Sequence, residues 1–203
     1  MLTPARRGWI LACALLLTAG QTRAVTIDFE GLPAFSAPGA SLPGVVVSAG
    51  GGILDEAGAA AVTGLVFPPG SLPTSGVNVL ANLFGADVSI QLDRPALEVS
   101  VRVVGSIADG AFGAVTLTAF AGLHPVGSVA SDPAAIGDSG APEGVLSIDA
   151  GGGPGITTLL FAADPGGTAT FLLDDLAFTP VPEPTSLALG LLGLLGLGSL
   201  RRG

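Results

Sequence analysis

Short apolar runs with a two-residue period recur about every ten residues through the middle of the chain. The clearest is Leu97–Val103, in which four aliphatic residues alternate with Glu98, Ser100 and Arg102. Successive side chains of an extended strand point to opposite faces, so this segment has one apolar and one polar face. Between residues 25 and 179 no segment keeps the 3.6-residue apolar period of an amphipathic helix. This pattern predicts strands for the whole region.

The predicted fold class is all-β, an antiparallel β-sandwich of jelly-roll-like type with about eight to ten strands. The 32 glycines and 16 prolines favour many turns. Gly50-Gly51-Gly52, Ser131–Ala141 and 149–155 are interpreted as loops. The predicted strands are Thr26–Glu30, Val45–Val47, Val62–Phe67, Val88–Leu92, Leu97–Val103, Val115–Phe120, Val126–Ala130, Val145–Ile148, Ile156–Phe161 and Thr168–Phe178.

The last predicted strand contains a change of parity. Phe171 and Leu173 share one face, whereas Leu176 and Phe178 share a face of the opposite parity. If all four side chains enter the core, the strand must slip by one residue at Asp174-Asp175. A β-bulge produces such a slip, so we predict one at this pair of carboxylates.

Residues 1–24 have the pattern of a secretory signal peptide. Arg6-Arg7 precede an apolar stretch, Trp9–Leu17, and the small residues Thr22 and Ala24 precede a predicted cleavage after Ala24. The chain is therefore expected to engage the secretion machinery and signal peptidase. The single cysteine, Cys13, lies in this segment, so the mature chain would have no disulfide.

The C-terminal tail, residues 180–203, has three parts in a fixed order. Pro182 and Pro184 flank Glu183 and end the folded region, because proline lacks a backbone N–H and restricts the residue before it. An apolar run over 186–200 is predicted to form a short transmembrane helix. Arg201 and Arg202 then form a basic stop on the cytoplasmic side. Residues 25–179 would be the exported domain between the two hydrophobic segments.

Val181-Pro-Glu-Pro-Thr-Ser186, the Leu/Gly span and the terminal arginines resemble the PEP-CTERM sorting signal of Gram-negative bacteria. The resemblance implies that a membrane-embedded exosortase recognises Pro182, Glu183 and Pro184 and processes the tail. The chain would cross the inner membrane, be anchored there transiently, and then reach the cell surface or the exopolysaccharide matrix. It would be a substrate of that transpeptidase and would carry no catalytic role in the sorting.

The exported region is strongly acidic. Its fifteen acids against two arginines, Arg94 and Arg102, give a net charge of −13. Such a surface repels nucleic-acid phosphates and anionic lipid headgroups, which excludes nucleic acid as a partner. It favours divalent cations, although solubility alone explains most of these residues equally well.

The first and last predicted strands also resemble those of jelly-roll carbohydrate-binding modules. That resemblance implies a structural Ca²⁺ held by Glu30 and Asp174, and the bulge adds Asp175 because two adjacent carboxylates need a cation or donors between them. Solvated acids with no metal remain the alternative. The sugar platforms of those modules are Trp and Tyr, and the exported region has neither, which weighs against a stacking site.

We expect the chain not to be an enzyme. The sole histidine, His124, is predicted to lie in an exposed turn, and no serine lies in a nucleophile-elbow motif. The leading hypothesis is a structural or adhesive protein of the cell surface or polysaccharide matrix. The alternatives are a calcium-containing carbohydrate-binding module and a glycan hydrolase, whose paired carboxylates would come from Asp55, Glu56, Asp174 and Asp175.

Overall fold

Ten β-strands run through the described part of the chain, in a computed structural model that describes residues 23–36, 42–55, 58–59, 78–82, 85–108, 111–137, 140–164 and 169–182. Residues 1–22 of the predicted signal peptide, the predicted strand Val62–Phe67 and the predicted helix over 186–200 lie outside these residues. The strands are β1 (Val25–Ile27), β2 (Val45–Ala49), β3 (Gly51–Asp55), β4 (Asn78–Asn82), β5 (Val88–Ala108), β6 (Ala111–Ala121), β7 (His124–Ala130), β8 (Glu143–Asp149), β9 (Ile156–Asp164) and β10 (Thr170–Pro180).

Strand β5 organises the fold because its two halves pair with different neighbours. Its first half, from Val88, pairs with β2 on one edge and β9 on the other. Its second half, from Ala96, pairs with β10 and β8. Between the halves the register with β9 shifts, since Gln91 faces Thr158 but Ala96 faces Ile156. The irregular segment at residues 92–95 therefore lets one strand pass from one group of strands to the other.

Two layers result from this change of partners. The first layer has the order β2, β5 (first half), β9, β6, β7. In the second layer, β10 pairs with the second half of β5 on one edge and with β1 and β4 on the other. β8 pairs with β5, and β3 pairs with β4, so these two strands lie at the two sides of the layer. Every pairing between these strands is antiparallel.

Both layers contribute side chains to one hydrophobic core. The first layer supplies alternate residues such as Ile90, Leu117 and Phe161, and the second supplies Val101 and Phe171. Each buried aliphatic or aromatic side chain stabilises the fold by about 1.5–3 kcal/mol relative to its exposed state, which is why the alternating pattern determines which face turns inward. Two layers around a shared core form the arrangement of a β-sandwich, and residues 24–180 make up one compact unit.

The all-β antiparallel prediction is confirmed for the described residues, with corrections to individual strands. The predicted strands Val88–Leu92 and Leu97–Val103 are parts of the single strand β5. β3 and β4 were not predicted at all, and Gly51-Gly52 lie in β3 and not in a loop. The jelly-roll topology and the domain boundaries stay predictions.

Gly51 shows why β3 has a weak sequence signal. A Cβ atom at this position would lie 2.8 Å from Leu80 Cδ1 and 2.9 Å from Val47 Cγ1. A larger residue would force the side chains of Leu80 and Val47 to shift, so close packing against β2 and β4 favours glycine here. The residue that permits the strand is therefore one that strand propensity disfavours.

Candidate functional site

The predicted β-bulge lies at Asp174-Asp175 in strand β10. Asp174 faces Arg102 of β5 and Ala177 faces Ser100, so three steps along β10 match two steps along β5. Asp175 occupies the left-handed region of backbone conformation, with φ of 49°. Phe171, Leu173, Leu176 and Phe178 consequently all enter the same core, as the parity change predicts. The bulge prediction is confirmed.

The bulge lies where β10 changes its neighbour. On the same edge of β10, β1 pairs up to Ile27 opposite Leu176, and β4 pairs at Leu80 opposite Leu173. The two carboxylates therefore fall in the gap between the end of β1 and β4. The segment that leaves β1 and carries Glu30 enters the same junction.

Two of the three predicted calcium ligands, Glu30 and Asp174, accept a hydrogen bond from a backbone N–H. Glu30 Oε1 accepts the N–H of Asn78 at 2.7 Å, which joins the turn after β1 to the start of β4. Asp174 Oδ1 accepts the N–H of Asp175 at 2.8 Å. Asp174 is 1% exposed, so its carboxylate is withdrawn from solvent. Arg102, its register neighbour on β5, also forms an ion pair with Glu143 at 2.9 Å.

Within the residues that the structure describes, no group of three or more His, Cys, Asp or Glu side chains is arranged to hold a metal ion. Calcium also accepts backbone carbonyl oxygens as ligands. Ca²⁺ at Glu30, Asp174 and Asp175 therefore stays a prediction, and the geometry shows only that these residues belong to one strand junction.

Other residues considered for catalysis lie apart from that junction. His124 is exposed, and it is the first residue of β7 and not part of the preceding turn. Asp55 ends β3, and its Oδ1 accepts the N–H of Gly58 at 2.7 Å. Glu56 lies outside the described residues.

A groove on the outer face of the first layer was not predicted. Its volume is about 530 Å³, and it lies between strands β5, β6 and β9 and the turn that joins β6 to β7. The lining residues are Gln91, Leu92, Phe120, Gly122, Leu123, Thr157 and Thr158. None of these side chains carries a charge, which distinguishes the groove from the acidic chain around it.

The register explains how distant parts of the sequence meet in the groove. Thr158 of β9 faces Gln91 of β5 on one side and Phe120 of β6 on the other. Their neighbours in sequence, Ile90, Ala119 and Leu159, are buried in the core, so these three side chains point outward. The groove floor is thus one row of residues across three adjacent strands.

The turn at one side of the groove is fixed by a threonine of β9. Gly122 has φ of 61°, which is suited to glycine in a two-residue hairpin turn. Its N–H donates to Thr157 Oγ1 at 2.9 Å, and Thr157 Oγ1 donates to the carbonyl of Phe120 at 3.2 Å. These bonds hold Leu123, which is 94% exposed, at the groove edge.

The predicted processing positions flank the β-domain. Ala24, the predicted signal cleavage position, is exposed and precedes β1, and Pro182 follows β10 closely as the last described residue. Glu183, Pro184, Arg201 and Arg202 lie outside the described residues. A search of the described part of the chain finds no helix that meets the length and hydropathy needed to span a membrane.

Comparison with known proteins identifies the tail. Residues 180–202 match the PEP-CTERM protein-sorting motif. This motif marks the chain as an exported protein targeted to the surface, and it implies processing by an exosortase. No curated protein matches the chain.

The β-domain resembles solved structures at low sequence identity. The cleaved adhesin domain of Lys-gingipain aligns over 77% of this chain and 99% of that chain, with 16% identity and a TM-score of 0.51. A CBM29-2 mutant complexed with mannohexaose aligns over 78% and 92%, with 10% identity and a TM-score of 0.42. Another family 29 carbohydrate-binding module aligns over 78% and 89%, with 10% identity and a TM-score of 0.41. The first likeness supports the all-β fold.

Proposed function

We propose that the chain is a non-enzymatic exported protein that an exosortase sorts to the cell surface or exopolysaccharide matrix of a Gram-negative bacterium, where its β-domain has a structural or adhesive role. The observation that carries this proposal is the sorting motif at residues 180–202, which begins where strand β10 ends. A secretory signal peptide at residues 1–24 would deliver the N-terminus to the same membrane.

The order of the elements supports a transient anchor. Signal peptidase would release the N-terminus, and the apolar run at 186–200 with Arg201 and Arg202 would hold the chain in the inner membrane until exosortase acts on Pro182, Glu183 and Pro184. The run is short for a permanent span, because its fourteen residues from Leu187 to Leu200 would rise about 21 Å as a helix, against a hydrocarbon core of about 30 Å.

The chemistry of the described residues supports a role without catalysis. A hydrolase that used the Asp174-Asp175 pair would need an acid that reaches its substrate, yet Asp174 is 1% exposed. The groove of the first layer has no charged lining residue. A structural or adhesive role is also compatible with a fold that an adhesin domain shares.

Cell fractionation tests the proposal in a bacterium that makes an exosortase. The variant carries Pro182→Ala, Glu183→Ala and Pro184→Ala, and a control carries Asp132→Ala and Pro133→Ala in an exposed turn. We expect the wild-type and control chains in the surface or matrix fraction and the motif variant in the inner membrane. Delivery of the motif variant to the matrix at the wild-type level would contradict the proposal.

A further inference from the structure

We propose that the groove on the outer face of the first layer binds a neutral polysaccharide. This inference deepens the proposed function, because an adhesive protein of a polysaccharide matrix needs a surface that holds the matrix polymer. The inference rests on the geometry of the groove, which is an observation independent of the sorting motif.

The groove has a suitable size and form for part of a sugar polymer. Its volume of about 530 Å³ lies in the range of small-molecule sites, about 300–1,000 Å³. The row Gln91, Thr158, Phe120 crosses three adjacent strands. Since neighbouring strands lie about 4.8 Å apart, the row is about 10 Å long. A short stretch of sugar rings can therefore contact an aromatic ring and an amide together.

The lining chemistry suits a ring with one apolar face and hydroxyl groups at its edge. Phe120 is half-buried, and it offers an aromatic surface on which the C–H face of a sugar packs. Gln91 is exposed and offers an amide that both donates and accepts hydrogen bonds. Phenylalanine therefore supplies the aromatic platform in residues 25–179, which contain no Trp or Tyr.

The face beyond the groove continues with hydroxyl groups. Thr118 and Ser128 lie on the outer face of β6 and β7, and their hydroxyl oxygens are 3.1 Å apart. Thr116 follows on the same face of β6, two residues from Thr118. A polymer that leaves the groove along β6 meets these hydroxyls next, so the surface fits an extended chain better than an isolated sugar.

Charge selects the class of polymer. The groove lining is uncharged, whereas residues 25–179 carry a net charge of −13. A polyanionic polysaccharide approaching this domain meets repulsion over about 8 Å at physiological ionic strength. A neutral polymer meets none, and its hydroxyls can replace the water that solvates Gln91.

The groove is held open before any ligand arrives. The bonds of Thr157 to Gly122 and Phe120 fix the β6–β7 turn, so Leu123 forms an apolar edge beside Phe120. A single exposed leucine is ordinarily of little consequence, but this one lines the same groove as Phe120. Little backbone ordering then opposes binding, which favours affinity.

Affinity electrophoresis of the purified full chain in mild detergent tests this inference. The probes are a soluble β-glucan, mannan and dextran, with alginate as the polyanion. We expect at least one neutral polymer to retard the wild-type chain and alginate not to do so. Phe120→Ala should weaken binding by about tenfold or more, and Gln91→Ala by a few fold.

Two matched surface variants distinguish a loss of binding from a loss of folding. Leu123→Ser changes a residue that is 94% exposed and should weaken binding, whereas Val145→Ser changes a residue that is 68% exposed in the second layer and should not. Retardation of none of the neutral polymers, or equal retardation of the Leu123 and Val145 variants, would overturn the inference. Correct sorting of the same chain in cells would then leave the proposed function intact with a structural role.

Discussion

Asp175 combines a strand position with a backbone conformation that favours glycine. Its φ of 49° lies in the left-handed region, which Asn and Asp tolerate better than other non-glycine residues. The bulge therefore depends on a residue with a short polar side chain. Because the bulge sets the parity of Leu176 and Phe178, the conformation of this one residue decides which side chains enter the core.

Two substitutions at Asp175 separate backbone preference from charge. Asp175→Asn keeps the preference for the left-handed region and should change the free energy of unfolding by less than about 0.5 kcal/mol. Asp175→Val adds a β-branched side chain in that region and should cost about 2 kcal/mol. Urea denaturation of the purified variants measures both values. Equal losses of stability would show that the charge, and not φ, determines the choice of residue.

The predicted calcium site is also tested at the scale of single residues. If Glu30, Asp174 and Asp175 hold Ca²⁺, excess calcium should raise the melting temperature relative to excess chelator, since a ligand at one hundred times its Kd stabilises the native state by about 2.7 kcal/mol. NaCl at the same ionic strength controls for screening of the acidic surface. The calcium-dependent rise should vanish in Asp174→Ala. The same melting temperature in calcium and in chelator would rule this site out.

Among the elements, β4 and the start of β10 are joined by a buried asparagine. Asn82 Nδ2 donates to the carbonyl of Ala169 at 2.8 Å, and Asn82 Oδ1 accepts the N–H of Phe171. Both bonds are buried, and Asn82 is 0% exposed. The side chain thus continues the strand pairing one step beyond Leu172 and Ala81.

Truncation of this side chain should be costly. Asn82→Ala leaves a buried N–H and a buried carbonyl without their partner, so we expect a loss of about 2–4 kcal/mol in the free energy of unfolding. Ser128→Ala removes an exposed hydroxyl from its contact with Thr118 and should cost less than about 0.5 kcal/mol. Thermal or urea unfolding gives both numbers. A loss below 1 kcal/mol for Asn82→Ala would mean that water replaces both bonds.

The sequence predicted those strands in which the positions of the apolar residues show which side chains enter the core. The bulge in β10 follows from four apolar residues of mixed parity, and β6, β8 and β9 follow from simple alternation. β3 was missed because Gly51 serves close packing with Leu80, a contact between strands far apart in sequence. β5 was predicted as the two strands Val88–Leu92 and Leu97–Val103, and Pro95 lies between them, where β5 changes partners.

The candidate groove lay beyond sequence reasoning for a related reason. Gln91, Phe120 and Thr158 become neighbours only through the register of β5, β9 and β6. Alternation shows that each points outward, but not that they share a row. The bonds of Thr157 that fix the turn likewise join segments 35 and 37 residues apart in sequence.

At the scale of the whole molecule, the two ends of the β-domain lie side by side. β1 and β10 are antiparallel, with Val25 opposite Phe178. The start of β1 and the end of β10 therefore lie at the same end of the β-domain. This is the arrangement expected if both hydrophobic segments reach one membrane while the domain is exported on one side of it.

The intact mass of the chain recovered from the cell surface or matrix tests export and sorting most directly. We predict a polypeptide that begins at Val25 and has lost the apolar run and the terminal arginines. The matched inner-membrane sample of the variant with Pro182, Glu183 and Pro184 changed to alanine should begin at Val25 and keep residue 203. A surface chain with the full mass of residues 1–203, or with an uncut tail, would contradict processing at the PEP-CTERM motif.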